Sequence, residues 1–406
     1  MRLERGLSSA AEVRALVPHG AEVAETVAGI LAQVRMEGDL GLDRLRREHD
    51  AATGPLHVVA EDLQAALATL DAHVRAALEL AIDNVRAVAE AGLDEEREIA
   101  LPQGQRVLLR EVPVARAAVY VPGGRAPYPS TVVMGVVTAR VAGVAEVVVC
   151  SPSASPTVLA ACALAGADEV YRVGGAQAIA ALAHGTETIR PVDVIVGPGS
   201  LYVQEAKRQV SDRVGIDGFA GPSDLLVVLT ADAALAARDL RAQAEHGLGS
   251  LVVAASPDAR LLDALAAALA DAPEQAPCAL VQVEDLDAAL AFAQDFAPEH
   301  LQLIGAEAEA LAPRITRAGC LFVGAGAATA FGDYVAGSNH VLPTDGAARF
   351  ASGLSTRTFR RRMAEVRIDA AAAAALAAPG AAIARAEGFA VHAESMEARI
   401  RENGET

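Results

Sequence analysis

Three short polar islands interrupt an Ala-, Val- and Leu-rich stretch of this chain, and their residue types can do chemistry. The first, Gln243-Ala244-Glu245-His246, closes an apolar-periodic helix that starts near Asp232. A spacing of three puts Gln243 and His246 on one helical face, so both can reach one point. The second, Pro298-Glu299-His300, ends the next helical run, just before the strand-like Leu301-Gln302-Leu303-Ile304. The third joins Gly332-Asp333-Tyr334 to Ser338-Asn339-His340 in a Gly-rich loop after the strand Cys320–Val323. Imidazole, amide and carboxylate together suit a divalent cation such as zinc. Adjacent Glu299 and His300 offer an acid/base pair. Taken singly, each island could be an ordinary solvated or structural polar group. Together they hold three of the nine histidines, and His392 stands near the C-terminus. His19, His49, His57, His73 and His184 have no such company and read as structural or solvated.

The surrounding elements must carry these islands to one place. Residues 1–100 read as helical, with apolar periodicity over Ala21–Arg35 and Ala60–Ala91 and a break at Gly54-Pro55. From about residue 105 short β-branched runs alternate with helical runs. One set of strands is Ala117–Val121, Glu146–Cys150, Glu169–Val173, Val192–Val196 and Asp224–Leu229. A second is Ser250–Ala254, Cys278–Gln282, Leu301–Ile304 and Cys320–Val323. Such alternation means parallel sheets, so the expected fold is α/β with two doubly wound, Rossmann-like domains and helical appendages. The expected division is an N-terminal helical segment (1–20), a first α/β domain (21–117 with 226–350), a second (118–225) and a helical tail (351–406). Within the tail, Pro379-Gly380 is expected to stop an Ala-rich helix, with a last helix over Ala381–Ile400.

Composition narrows the function. There are 34 basic against 52 acidic residues, a formal charge of −18, and no basic stretch interleaved with aromatics. Nucleic acid and anionic membrane surfaces are therefore not expected partners. No apolar run reaches the roughly eighteen residues of a membrane span. The first residues lack the apolar core of a signal peptide, so a cytoplasmic location is expected. Cys150, Cys162, Cys278 and Cys320 form no C-x-x-C pair and read as small core residues.

Longer segments carry a resemblance. Val119-Tyr120-Val121-Pro122-Gly123-Gly124 with Tyr128-Pro129-Ser130, Gly174-Gly175-Ala176-Gln177, Ala220-Gly221-Pro222-Ser223, Ala297-Pro298-Glu299-His300-Leu301 and Gly337-Ser338-Asn339-His340-Val341-Leu342-Pro343-Thr344 resemble the L-histidinol dehydrogenase family. The likeness runs from about residue 20 to residue 400. It implies zinc held by Gln243, His246, Asp333 and His392, and catalysis by Glu299 and His300. The implied substrate is L-histidinol, lined by Ser130, Ser223, Gln243, His246, His300, Asp333, His340, Glu387 and His392. It also implies NAD against Tyr120, Gln177 and Ser200, and a homodimer whose C-terminal tails are exchanged so that sites are shared.

Residue reasoning alone makes only a weak case for NAD. No G-x-G-x-x-G fingerprint is present, though Gly197-Pro198-Gly199-Ser200 opens a helix whose free amides could meet a phosphate. Three positions depart from the family pattern: Ser200 for Asn, Val194 for Lys and Asp224 for Glu. Competing readings are a dehydrogenase for another small alcohol such as a hydroxylated sulfonate, a zinc hydrolase using Glu299, and a non-enzymatic binding protein.

Overall fold

The apolar runs become the centres of two parallel sheets, buried on both faces as their unbroken Val/Leu/Ile composition requires. The computed structural model describes residues 2–17, 23–50, 54–123, 126–218, 221–247, 249–272 and 276–401. His19, Gly124 and Ala220 lie outside these residues. The strands in chain order are β1 (Arg2–Arg5), β2 (His57–Val58), β3 (Arg97–Ala100), β4 (Arg106–Pro113), β5 (Arg116–Tyr120), β6 (Glu146–Cys150), β7 (Glu169–Tyr171) and β8 (Val194–Val196). There follow β9 (Gly215–Ile216), β10 (Asp224–Leu229), β11 (Leu251–Ser256), β12 (Pro277–Gln282), β13 (His300–Ile304), β14 (Cys320–Val323) and β15 (Arg360–Arg367).

The first sheet has the order β2-β7-β6-β5-β8-β9, parallel except for β2. The second has the order β1-β12-β11-β10-β13-β14 and is parallel throughout. Strand order reverses at β5/β8 in one and at β10/β13 in the other. Both sheets have the doubly wound pattern expected from the alternation. Both belong to one compact unit, residues 1–92 with 114–359. No helix among the described residues is long and apolar enough to cross a membrane.

Several elements differ from the sequence reading. The N-terminal segment is not wholly helical: Arg2–Arg5 adds a strand beside β12, and the helix Ala10–Arg14 follows. The helices over 24–91 pack on the first sheet and not on the one that carries the polar islands. Val27, Leu31 and Val34 enter the core of Ile179, Leu182 and Val203, while Leu78, Ile82 and Val85 enter that of Val119 and Val133. Amphipathic spacing marks a buried face without naming the sheet that covers it.

A second unit comprises residues 93–113 and 360–406. Its antiparallel sheet β15-β4-β3 is Arg- and Glu-rich and mostly exposed, which hid it from a search for apolar alternation. Its helix Ala370–Ala386 continues through Pro379 and Gly380. The surrounding alanines offset the proline's missing N–H. A Cβ at Gly380 would come within 2.5 Å of the Met396 sulfur on the next helix, Ala390–Arg401, so a larger residue there would make the flexible Met396 tip shift.

The exposed Pro379 is therefore a removable helix defect. Pro379→Ala should stabilise the protein by about 1–3 kcal/mol in denaturant unfolding. A loss of stability would show that the proline shapes the packed state.

Candidate functional site

Parallel strands leave backbone N–H groups at their amino ends without a ladder partner, and the site is built on two of them. Leu225 of β10 pairs with His300 of β13. One residue earlier, carboxylates take the place of ladder carbonyls. The Glu299 N–H donates to Asp224 Oδ1 at 2.7 Å, and the Asp224 N–H donates to Glu299 Oε2 at 3.1 Å. The Ser223 hydroxyl also donates to Glu299 Oε2 at 2.7 Å, and Gln243 Nε2 donates to Ser223 Oγ at 2.7 Å. His300 Nδ1 donates to the Asp224 carbonyl at 3.2 Å, which turns Nε2 toward Asp333 Oδ1 at 3.6 Å. Four of the sequence-predicted residues, Ser223, Gln243, Glu299 and His300, thus form one continuous network with Asp333 at its end.

The elements presenting them are not all those expected. The helix Ala233–Ala244 stops before His246, which sits exposed in the following turn, while Gln243 is buried. His246 Nδ1 donates to the Gln243 carbonyl at 3.0 Å. That fixes the tautomer whose Nε2 can ligate a cation. His300 is the first residue of β13; the preceding helix ends at Phe296, and Ala297 turns left-handed (φ 45°). Residues 332–334 are helical and not loop, within Thr329–Tyr334. The site therefore lies at the amino ends of β10 and β13, opposite the strand ends at which open α/β sheets usually bind ligands.

Electrostatics follow from this burial. Desolvation and the neighbouring Asp224 charge push the Glu299 carboxyl up to about 7, against the pull of His300 and the Ser223 hydroxyl. Burial alone would lower His300, but the Glu299 and Asp333 carboxylates carry it up to about 9. The same imidazole keeps Asp333 below its ordinary value despite desolvation. Burial, together with the charges of His300 and His246, lowers His340 and favours its neutral form. His340 Nδ1 donates to the Asp333 carbonyl at 2.9 Å, leaving Nε2 to accept from the Thr131 hydroxyl at 3.2 Å.

Sequence reasoning chose Ser130, but its neighbour Thr131 touches His340. Both lie in the short helix Pro129–Val132, which runs on through a π-helical turn, Val133–Val137. Asn339 Nδ2 donates to the Met134 carbonyl of that turn at 3.1 Å, tying the third island to the first sheet. Arg14 was missed altogether. It is ion-paired with Asp224 at 3.2 Å, donates to the Phe296 carbonyl, and stacks over the Phe296 ring at 4.1 Å. No local signal marks it, because its partners lie hundreds of residues away.

The expected cofactor residues collect at the carboxyl ends of the first sheet, around the β5/β8 reversal. Tyr120 ends β5, and its hydroxyl accepts from the Gly175 N–H at 3.1 Å. Gln177 is buried and donates to Asp50 Oδ1 at 2.8 Å. Asp50, also missed, accepts the Gly174 N–H at 2.9 Å. Ser200 is the exposed N-cap residue of the helix Leu201–Val210. Of the departures from the family pattern, Val194 is core in β8, and Asp224 is the partner of Arg14.

Glu387 and His392 belong to the second unit. Both are exposed, and His392 leans on the Phe389 ring at 5.2 Å. Among the described residues no group of three or more His, Cys, Asp or Glu side chains forms a cage for a metal ion. The expected donors explain this in part. Gln243 is an amide, and His392 lies in the other unit, so only His246 and Asp333 of the implied set count in the first.

A family model described as histidinol dehydrogenase matches residues 17–400. A relative of that name from Thermus thermophilus is 44% identical, with 93% of this chain and 94% of the relative covered. One from Cereibacter sphaeroides is 43% identical, with 93% and 92% covered. The crystal structure of histidinol dehydrogenase from Elizabethkingia anophelis superposes with a TM-score of 0.91 at 28% identity, covering 100% of this chain and 99% of that one. The class is therefore an α/β dehydrogenase built on two parallel sheets. The chain belongs to the histidinol dehydrogenase family.

The Asp224 carboxylate pairs with Arg14 and accepts the Glu299 N–H, so it is the sensitive point. Asp224→Asn leaves Arg14 with only its longer ion pair to Asp345 at 3.5 Å and should cost about 1.5–3 kcal/mol in denaturant unfolding. Turnover should fall by more than about tenfold as the Glu299 N–H loses the charged acceptor that fixes its placement. Parental stability and activity would sink this reading.

Proposed function

We propose that this chain is a zinc-dependent L-histidinol dehydrogenase of histidine biosynthesis, oxidising L-histidinol through L-histidinal to L-histidine with two NAD. The observation that carries the reading is the buried Glu299–His300 pair, joined to Gln243 through Ser223 and facing Asp333. The relatives' name supplies the substrate.

The residues suit both absent groups. His246 holds the ligating tautomer, Asp333 supplies a carboxylate, and Gln243 supplies a neutral amide oxygen, with His392 as fourth donor. For NAD, the glycines at the carboxyl ends of the first sheet let the turns that carry Gln177 and Ser200 pack closely on their neighbours. A Cβ on Gly174 would strike Pro152, and one on Gly199 would strike Val203 and lie 3.2 Å from the Tyr120 ring. When bound, zinc supplies charge to anchor the substrate's nitrogen and oxygen donors, and NAD supplies the hydride acceptor.

His300 takes the hydroxyl proton as the alcohol is oxidised to the aldehyde. Asp333, one of the two carboxylates that raise His300, would also be among the residues holding zinc, and the metal's charge would favour the neutral imidazole that can act as a base. Glu299, raised to about 7, can accept a proton from the water that adds to the aldehyde. His300, once its first proton has passed to solvent, takes the hydrate's proton as the second hydride leaves. His340 and Glu387 line the substrate, with Glu387 toward its amine. Holding the aldehyde between the steps avoids its loss.

Purified protein given L-histidinol and NAD should form two reduced cofactors per substrate, and chelation should abolish turnover. Glu299→Gln should impair aldehyde oxidation more than alcohol oxidation, while His300→Asn should impair both. A yield of one, with aldehyde accumulating, would overturn the two-step assignment.

The proposed assembly is a homodimer in which the tail of one copy brings His392 and Glu387 to the site of the other. Its support is the exposure of Ile383, Phe389 and Val391 in and between the tail helices, apolar side chains suited to burial by a partner. His392→Ala and His246→Ala proteins should each be inactive. Co-refolding them should restore activity, because a mixed dimer holds one site with both residues intact. Mixed dimers without recovery would exclude shared sites.

A further inference from the structure

Lys207 is the only lysine in the chain, and its side chain is 1% exposed. Burying an ammonium costs several kcal/mol unless partners compensate it. Here its partner is Asp217, itself only 6% exposed, and its Nζ also donates to the Gly197 carbonyl at 3.0 Å. The other Asp217 oxygen, Oδ2, accepts the Gly197 N–H at 2.6 Å. The pair therefore grips both polar groups of one residue.

That residue sits at the β5/β8 reversal. Gly197 follows β8, has φ 117°, and lies so close to the end of β5 that a Cβ would strike the Tyr120 carbonyl. Lys207 comes from the helix Leu201–Val210 and Asp217 from the segment after β9, so three elements meet on one residue. A well-packed apolar pair could fill the same volume at little or no cost in stability. What the ion pair adds is a fixed orientation for a Gly-Pro-Gly turn whose amides open the helix.

We propose that Lys207 and Asp217 are positioning residues for the cofactor, clamping Gly197 so that the 197–200 turn is preformed to receive a dinucleotide phosphate. This rests on the NAD reading above. Lys207 is too deeply buried to be the phosphate ligand itself.

The test is the double variant Lys207→Met/Asp217→Leu, which removes both charges together and leaves neither unpaired. By calorimetry its affinity for NAD should fall about tenfold or more, as preorganisation is lost. Its KM for L-histidinol should stay within about twofold of the parent, as expected when a mutation removes binding to one ligand only. An unchanged NAD affinity in the folded double variant overturns the clamp while leaving the cofactor reading intact. Parent protein that does not bind NAD overturns both.

A second measurement needs no variant. Protein carrying 15N at the lysine side chain has a single ammonium signal, and saturating NAD should shift it. A signal unmoved at saturation overturns the clamp even if the double variant fails to fold.

Discussion

The exchange between Asp224 and Glu299 organises the centre of the molecule. Each carboxylate accepts the other residue's backbone N–H, extending the β10–β13 ladder by one rung. The placement of Glu299 is therefore set by strand register as well as by its rotamer. Two carboxylates this close repel, and the structure meets that cost in two ways. Arg14 balances Asp224, and Glu299 is pushed toward holding a proton. An acid/base group that is rigid and dry, yet able to take a proton near neutrality, follows from the same rung. Its neighbour His300 is held by the Asp224 carbonyl, so one residue orients both.

A buried amide sets the other components around that rung. His300 and Gln302 share a face of β13, and Asp239 and Gln243 share a face of the helix Ala233–Ala244. Gln302 Nε2 donates to Asp239 at 2.6 Å, holding this helix where Gln243 reaches Ser223. It also donates to the Ala327 carbonyl at 3.1 Å, just before the helix that carries Asp333. Gln302 has no exposed surface, so its role is to fix the islands relative to one another.

The two sheets contribute opposite edges. Cofactor candidates lie at the carboxyl ends of β5 and β8, while the acid/base candidates lie at the amino ends of β10 and β13. Contacts from the first sheet's helix 129–141 join the two regions. Thr131 meets His340, and Asn339 satisfies a carbonyl in the π-helical turn. Such turns are frequent at functional sites, where they re-aim a side chain within a helix. Here the turn begins two residues after Thr131.

Much of this was legible in the residues. Runs such as Val147-Val148-Val149 and Leu225-Leu226-Val227-Val228 can hardly be anything but strands buried on both faces, and their alternation with helices implies parallel sheets. The Glu299-His300 pair and the polar islands stood out because polar groups are costly in an apolar neighbourhood unless they have work or partners. Periodicity, however, encodes which face of an element is buried and says nothing of which sheet, edge or neighbour does the burying. The helices over 24–91 were accordingly assigned to the wrong sheet, and Arg2–Arg5 was not seen as a strand. Pro379 read as a stop because the cost of a proline is local, whereas the packing of Gly380 on Met396 is not. Arg14 and Asp224 are 210 positions apart, and Thr131 and His340 are 209 apart. Contacts of that range leave no trace in spacing or propensity; they exist only once strand register and helix packing have closed the chain on itself.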